Sequence, residues 1–278
     1  MSMASDISTI SSSLNAIKNA IIDKGVTPSG NITTYADAIS QISGGGSSTK
    51  YGALVYTLLG DVNVNGVLQL PTEQSNLVFT DVTDVVDNGL YYKFARTGVK
   101  SVSFPDLTSV SKASSFAGAF YGCSKLESAS FPNLITITGT SGCSGMFSYT
   151  TAMTSVSLPE LTTATGVSCM SSMFAYSGIA NVSIPKLMAL GSSCCLSMFG
   201  GAENITNIYF NALTTTSFGS SVNQFANMFS TGSGSTSGTI TMHFPSNLSS
   251  TIAGLTGYPN FGATTGILTL AFDLPATS

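Results

Sequence analysis

The chain has 278 residues, of which 43% are hydrophobic and 8% charged, with a net charge of −4. That apolar content is ample for a core. Charge falls far short of the about 25% of an ordinary soluble domain, so Ser, Thr, Asn and Gly must cover the surface. Nine Lys and Arg spread singly give no basic stripe to neutralise phosphates, which excludes nucleic acid as a partner. No apolar run reaches the roughly 18 residues that cross a bilayer, so no membrane span is expected. The stretch Met1 to Asp6 has none of the sections of a secretory signal, and the five cysteines, an odd number, fit free thiols better than a disulfide framework. Together they set the expectation of a chain made in the cytoplasm.

From Ser5 to Lys24 the residues Ile7, Ile10, Leu14, Ile17 and Ile21 keep a 3-4-3-4 spacing, which places them on one seam of a helix. Isoleucine at both kinds of seam position shifts the preference above two strands, and a homotrimer is expected. Lys24-Gly25 supplies a stop, and Thr27-Pro28-Ser29-Gly30 reads as a turn. Thr34 then caps a short second helix, Tyr35 to Ile42, with Tyr35, Ala38, Ile39 and Ile42 on its apolar face. The organisation expected is a helical anchor over 1–43, a flexible Gly/Ser linker over 44–50 and a second domain over 51–278. The string Leu14 to Thr27, followed by Tyr35-Ala36-Asp37-Ala38-Ile39, resembles a segment near the start of many bacteriophage tail and fibre-type structural proteins. That resemblance implies attachment to a virion and brings no catalytic residues.

Past the linker, a phenylalanine recurs at Phe94, Phe120, Phe147, Phe174, Phe199 and Phe229, and a hydrophobic-Pro pair follows five of the six. The period is 25 to 27 residues, lengthening to 30 at the last step. Units of this size cannot bury a face alone, so they stack into a solenoid. Strands such as Ser101-Val102-Ser103-Phe104 and Asn181-Val182-Ser183-Ile184 alternate with period 2, which predicts buried columns and outward columns. The buried ones are Val102, Ala129, Val156, Val182, Ile208, Met242 and Phe104, Phe131, Leu158, Ile184, Phe210, Phe244. Outward, Ser101, Ser128, Ser155, Asn181, Asn207, Thr241 run beside Ser103, Ser130, Ser157, Ser183, Tyr209, His243. Tyr51 to Gly89, with strands at Ala53–Tyr56 and Leu77–Phe79, is the expected first cap, and Ile267 to Phe272 the closing strand.

The run Ala119-Phe120-Tyr121-Gly122-Cys123-Ser124-Lys125-Leu126 leading to Phe131-Pro132 resembles the BspA-like leucine-rich repeats, and the likeness extends from Phe94 to Leu248. Tyr149-Thr150 and Tyr176-Ser177 replace its Gly-Cys pair in later coils. The fold class expected is therefore mainly β, a short leucine-rich-repeat-like solenoid of about 26-residue coils preceded by a small helical anchor. The resemblance implies adhesion or recognition at bacterial surfaces or on phage appendages.

Candidate sites are few. Cys143, Cys169 and Cys194 fall four or five positions before a repeat phenylalanine, as Phe116 and Phe225 do, which reads as one core ladder of buried thiols and not as a metal site. The neighbours Cys194 and Cys195 should face different ways if they lie on a strand. Asp81, Asp84 and Asp87 form an acidic stretch that reads as a solvated capping loop, and the glycines of Thr231 to Ser235 lack the lysine and helix of a phosphate loop. His243 has no partner evident in the sequence, and no nucleophile elbow occurs, so no catalytic residues, no metal and no cofactor are expected. Tyr209 and His243, with Tyr258, are the candidate ligand-binding residues, because aromatic rings on a hydroxyl-lined face suit glycan or protein recognition.

These readings combine into one expectation. It is a non-enzymatic virion structural protein, a head or tail fibre subunit held by capsid or tail proteins and presenting its solenoid to a bacterial surface glycan or protein. The alternative is a bacterial leucine-rich-repeat surface adhesin or secreted interaction protein.

Overall fold

The computed structural model describes residues 63–64, 67–68, 76–79, 82–219, 223–230, 239–263 and 268–277. The chain divides into two units at Ser47/Ser48, and every described residue belongs to the second. The expected helices with their seam Ile7, Ile10, Leu14, Ile17 and Ile21, the Gly/Ser linker, the strand Ala53–Tyr56, Asp81 and the Thr231–Ser235 loop lie outside the described residues.

The described residues are mainly β. An antiparallel pair, β1 (Asn63–Val64) and β2 (Val67–Leu68), precedes β3 (Asn76–Val78). Four coils then contribute a three-residue and a two-residue strand each: β4 (Ser101–Ser103) and β5 (Ser109–Val110), β6 (Ser128–Ser130) and β7 (Thr136–Ile137), β8 (Ser155–Ser157) and β9 (Thr163–Ala164), β10 (Asn181–Ser183) and β11 (Ala189–Leu190). After them come β12 (Asn207–Tyr209), β13 (Ile240–Pro245), a short helix α1 (Ser249–Ala253) and β14 (Leu268–Leu274). The longer strands form two parallel ladders, β3-β4-β6-β8 and β10-β12-β13-β14, and the short ones a third, β5-β7-β9-β11. Register places Ser101 against Ser128 and Ser155, and Asn181 against Asn207 and Thr241, as the period-2 alternation predicts.

The third side of each coil is a hydrogen-bonded ribbon of turns for which the sequence gives no propensity signal. In the coil from Ser114 to Cys123, the N–H groups of Phe116, Gly118, Phe120 and Gly122 donate to Gly142, Ser144, Met146 and Ser148 of the next coil at 2.8–3.0 Å. The intervening N–H groups of Ala117, Ala119, Tyr121 and Cys123 donate three residues back, to Ser114, Phe116, Gly118 and Phe120. Main-chain donors are thus satisfied in turn by the next coil and by the residue's own coil. The geometry places a left-handed residue at every fourth position: six before, two before and two after each repeat phenylalanine from Phe94 to Phe199. Ser141, Gly145 and Tyr149 around Phe147 have φ of 53°, 59° and 60°, and Ser168, Ser172 and Tyr176 around Phe174 have 53°, 53° and 55°.

Four-residue spacing also turns two side chains of every ribbon into the core. The repeat phenylalanines stack with centroid separations of 5.4 Å (Phe94–Phe120), 5.8 Å (Phe120–Phe147), 5.8 Å (Phe147–Phe174), 5.6 Å (Phe174–Phe199) and 6.1 Å (Phe199–Phe229). A second column begins Phe79–Phe104–Phe131 and ends Phe210–Phe244–Phe272, with Leu158 and Ile184 buried between. Such offset stacks add about 0.5–1.5 kcal/mol per pair beyond the burial of area.

Where strand passes into ribbon, consecutive coils approach so closely that a Cβ does not fit. One built on Gly166 would lie 2.3 Å from the carbonyl oxygen of Gly139, and one on Gly191 2.2 Å from that of Thr165. Replacing Gly166 with Ala must therefore push two backbones apart, whereas at Gly98 the added methyl meets nothing within 4 Å. Gly166→Ala should cost about 1–3 kcal/mol in a urea melt and Gly98→Ala under about 0.5. Equal melts for the two variants would contradict the close approach.

Candidate functional site

The outward strand face is built by alternation alone, and its hydroxyls and amides join across coils. Ser101 Oγ donates to Asn76 Oδ1 at 2.8 Å, and Asn207 Nδ2 to Asn181 Oδ1 at 2.9 Å. In-register pairing of β12 with β13 sets Tyr209 beside His243, their rings stacked 4.3 Å apart at 9°. The structure supplies the partners that the sequence does not show. His243 Nδ1 lies 2.8 Å from an Asp273 carboxylate oxygen, and Nε2 lies 3.4 Å from Asn207 Oδ1. Asp273 stands on β14, two residues beyond the Ala271 that faces His243. The carboxylate fixes the ring's orientation, as such partners do for imidazoles. The nitrogen that a general base would use is turned toward an amide oxygen. Tyr258 is exposed and packs on Phe261 at 6.3 Å, sharing no ring contact with Tyr209 or His243.

A second aromatic surface went unread in the sequence. Tyr92, Tyr121, Tyr149 and Tyr176, from four successive coils, form a ridge with centroid steps of 5.6, 5.2 and 4.6 Å, and Tyr91 stands edge-on to Tyr92 at 4.8 Å. The guanidinium of Arg96 lies 5.9 Å from the centre of the Tyr121 ring. Tyr91, Tyr92 and Tyr149 are exposed by 49%, 38% and 42%, which separates them from every repeat phenylalanine, all within 0% of solvent contact. Burial, then the neighbours Tyr91 and Tyr121, raise the Tyr92 phenol above its ordinary value; burial, then Tyr121 and Tyr176, raise Tyr149. These two phenols are accordingly uncharged at neutral pH. Tyr92, Tyr149 and Tyr176 also occupy left-handed positions, φ 51°, 60° and 55°. That conformation costs a non-glycine residue roughly 1–2 kcal/mol.

The cysteines read as one ladder divide into two. Counted from the repeat phenylalanines, Cys143, Met170 and Cys195 stand four residues before and Cys169 and Cys194 five before, the places of Phe116 and of Ser115 in an earlier coil; the Cys143 N–H donates to the Cys169 carbonyl and the Met170 N–H to that of Cys194. Cys194 and Cys195 lie in the turn ribbon and not on a strand, so strand alternation does not apply to them, and both are fully buried. Cys169 Sγ and Cys194 Sγ are 3.3 Å apart as free thiols. The contact with Cys194, then burial, drives Cys169 far above the ordinary thiol range, and burial drives Cys143 and Cys194 the same way. Among the described residues no group of three or more His, Cys, Asp or Glu is placed to hold a metal.

The acidic stretch has a structural use. Asp84 accepts from the main-chain N–H groups of Val85 and Ser111 and from the Ser111 hydroxyl, and Asp87 accepts from the N–H of Ala113 at 2.8 Å. Two carboxylates thereby tie the segment before the first full ribbon to the next coil. No helix among the described residues is long and apolar enough to cross a membrane.

No family model, curated protein or solved structure matches this chain. Its reading therefore rests on the geometry. Because the five thiols are buried and the shifted ones are protonated, the folded protein should show almost no reaction with a disulfide reagent such as DTNB at pH 8, and the denatured protein should release five. Rapid reaction of the native protein would contradict the burial of the cysteine columns.

Proposed function

We propose that the protein is a bacteriophage virion structural protein, a head or tail fibre subunit whose solenoid is displayed for contact with a bacterial surface. The observation that supports a binding role is an exposed tyrosine ridge and a partly exposed Tyr209–His243 pair on an otherwise hydroxyl- and amide-lined solenoid. Rings supply apolar contact, the surrounding Ser, Thr and Asn supply hydrogen bonds, and nothing in either surface assembles a nucleophile, base and oxyanion donor. Support for the virion comes from the resemblance of residues 14–39 to a segment of phage tail and fibre-type proteins, and the seam Ile7, Ile10, Leu14, Ile17 and Ile21 supports a homotrimer. The stacked coils suit the BspA-like leucine-rich-repeat resemblance, in which proteins of this build adhere to surfaces.

The second reading, a bacterial surface adhesin, is favoured by one observation: that repeat resemblance covers more of the chain than the phage-like segment does. Mass spectrometry of purified virions against a cell-surface fraction separates the two, since only a virion component copurifies with particles.

Light scattering tests the assembly. The full chain should have three times its 28.5 kDa subunit mass, and a version beginning at Ser47 should fall to a single subunit. A full-length monomer would remove the trimeric fibre and favour the adhesin.

A further inference from the structure

The tyrosine ridge is an aromatic surface that lies outside the buried columns of the fold. At the ribbon position two residues after the repeat phenylalanine, the coils carry Arg96, Gly122, Tyr149, Tyr176 and Gly201. Glycine meets the left-handed requirement there without strain, as at Gly122 and Gly201, with φ of 69° at both. Tyrosines at Tyr149 and Tyr176 keep the same turn at a conformational cost, and strained residues held by a rigid scaffold concentrate at functional sites. Two further tyrosines reach the same ridge from other positions, Tyr121 from one residue after the phenylalanine and Tyr92 from two before it.

The rings present more than rims. Tyr149 and Tyr176 are nearly parallel, at 15°, and the Tyr149 side chain is hydrogen-bonded to Tyr121. Tyr121 is tilted by 50° and 55° from its neighbours, and Tyr91 stands at 74° to Tyr92, so both turn part of a face away from the stack. Arg96 adds five N–H donors beside Tyr121. The surface is thus a row of apolar faces and phenol hydroxyls, one ring wide and four coils long. A stable protein partner needs about 800 Å² on each side, spread over some 20–30 residues, which a single row of rings does not provide. A narrow ligand with apolar C–H faces and hydroxyls at its rim matches it better.

We propose that the Tyr91–Tyr92–Tyr121–Tyr149–Tyr176 ridge binds an extended neutral hexopyranose glycan, laid along the solenoid axis with its sugar faces against the turned rings and its hydroxyls on the phenols and Arg96. This deepens the binding reading above and depends on it. The Tyr209–His243 pair is a separate surface, and Met188, exposed beside β11 and part of neither, serves as the internal control.

The chain has no tryptophan, so its fluorescence reports tyrosine directly. The full chain is titrated with four hexasaccharides, cellohexaose, laminarihexaose, maltohexaose and chitohexaose, and followed by tyrosine emission and calorimetry. At least one should bind saturably, with a Kd of about 1 mM or below. The variant Tyr149→Gly/Tyr176→Gly adopts the residue that neighbouring coils use at this position, and its thermal melt checks folding. It should weaken binding at least about ten-fold while Met188→Ala, an exposed residue outside both aromatic surfaces, leaves it unchanged. Tyr121→Ser, which alters no left-handed position, should weaken binding in the same direction. Absence of saturable binding to all four sugars overturns the proposal, and so does undiminished binding by the folded double variant and by Tyr121→Ser. Loss through Tyr209→Ala alone would move the glycan site to the strand face and keep the binding reading. A negative result with a virion-associated trimer would leave the structural role standing without the ridge.

Discussion

Hydrogen bonds between the main chains of successive coils govern this molecule. On two sides they are parallel strand ladders, and on the third they run from every second N–H of the turn ribbon to the coil ahead. Since these bonds hold neighbouring coils at about the 4.8 Å strand spacing, each side chain meets its own equivalent from the next coil. A phenylalanine therefore stacks on a phenylalanine, and the Cys169 thiol lies against that of Cys194. Ring centroids 5.4–6.1 Å apart exceed the backbone spacing, so the rings must slip sideways, which is the offset geometry that aromatic pairs prefer. A residue that packs well once packs well in every coil, and a misfit such as a Cβ at Gly166 collides with a backbone that has no other place to go.

The ribbon imposes the harsher constraint, because it asks for a left-handed residue every four positions. Serine fills many of these places: Ser114, Ser141, Ser168, Ser172, Ser193 and Ser197 all have φ near 50°. Each costs conformational energy that the coil-to-coil bonds offset, since leaving a buried N–H unpaired would cost about 1–3 kcal/mol. Six serines thus serve the backbone geometry of the ribbon and not solubility alone, and Arg96, Tyr149 and Tyr176 hold other left-handed places of it.

Much of the strand side was legible. Period 2 identified which residues of Ser101–Phe104 and its equivalents turn inward, and the repeat phenylalanines marked the coil length. The ribbon was not legible, since Ser-rich turns of period four have neither the alternation of a strand nor the apolar stripe of a helix. The two-residue strands such as Thr136–Ile137 are too short to announce themselves. Register explains two further misses. A spacing of 27 and not 26 from Phe147 to Phe174 shifts Cys169 out of the column of Cys143, and Tyr92, Tyr121 and Tyr149 sit at three different offsets from their phenylalanines, so no single repeat position reveals their ridge. Asp273 escaped for a related reason: a register irregularity between His243 and Pro245 lies at the point where it reaches back to the imidazole.

The same stacking that made the core uniform decides what the outside can recognise. Every outward column is a row of side chains at one fixed interval, so a run of identical hydroxyls, as at Ser101, Ser128 and Ser155, offers the same chemistry at each step and singles out no place on the solenoid. Distinction arises only where a coil departs from its neighbours. Among the described residues aromatic departures stand at the ridge spanning Tyr91 to Tyr176 and at Tyr209 with His243, and both lie outside the buried columns that the fold needs. A solenoid whose stability rests on repetition can vary these surface positions with little penalty, because ring or hydroxyl, the main-chain bonds beneath are unchanged. The scaffold thereby separates stability from recognition: the first belongs to what every coil shares, the second to what one coil has alone.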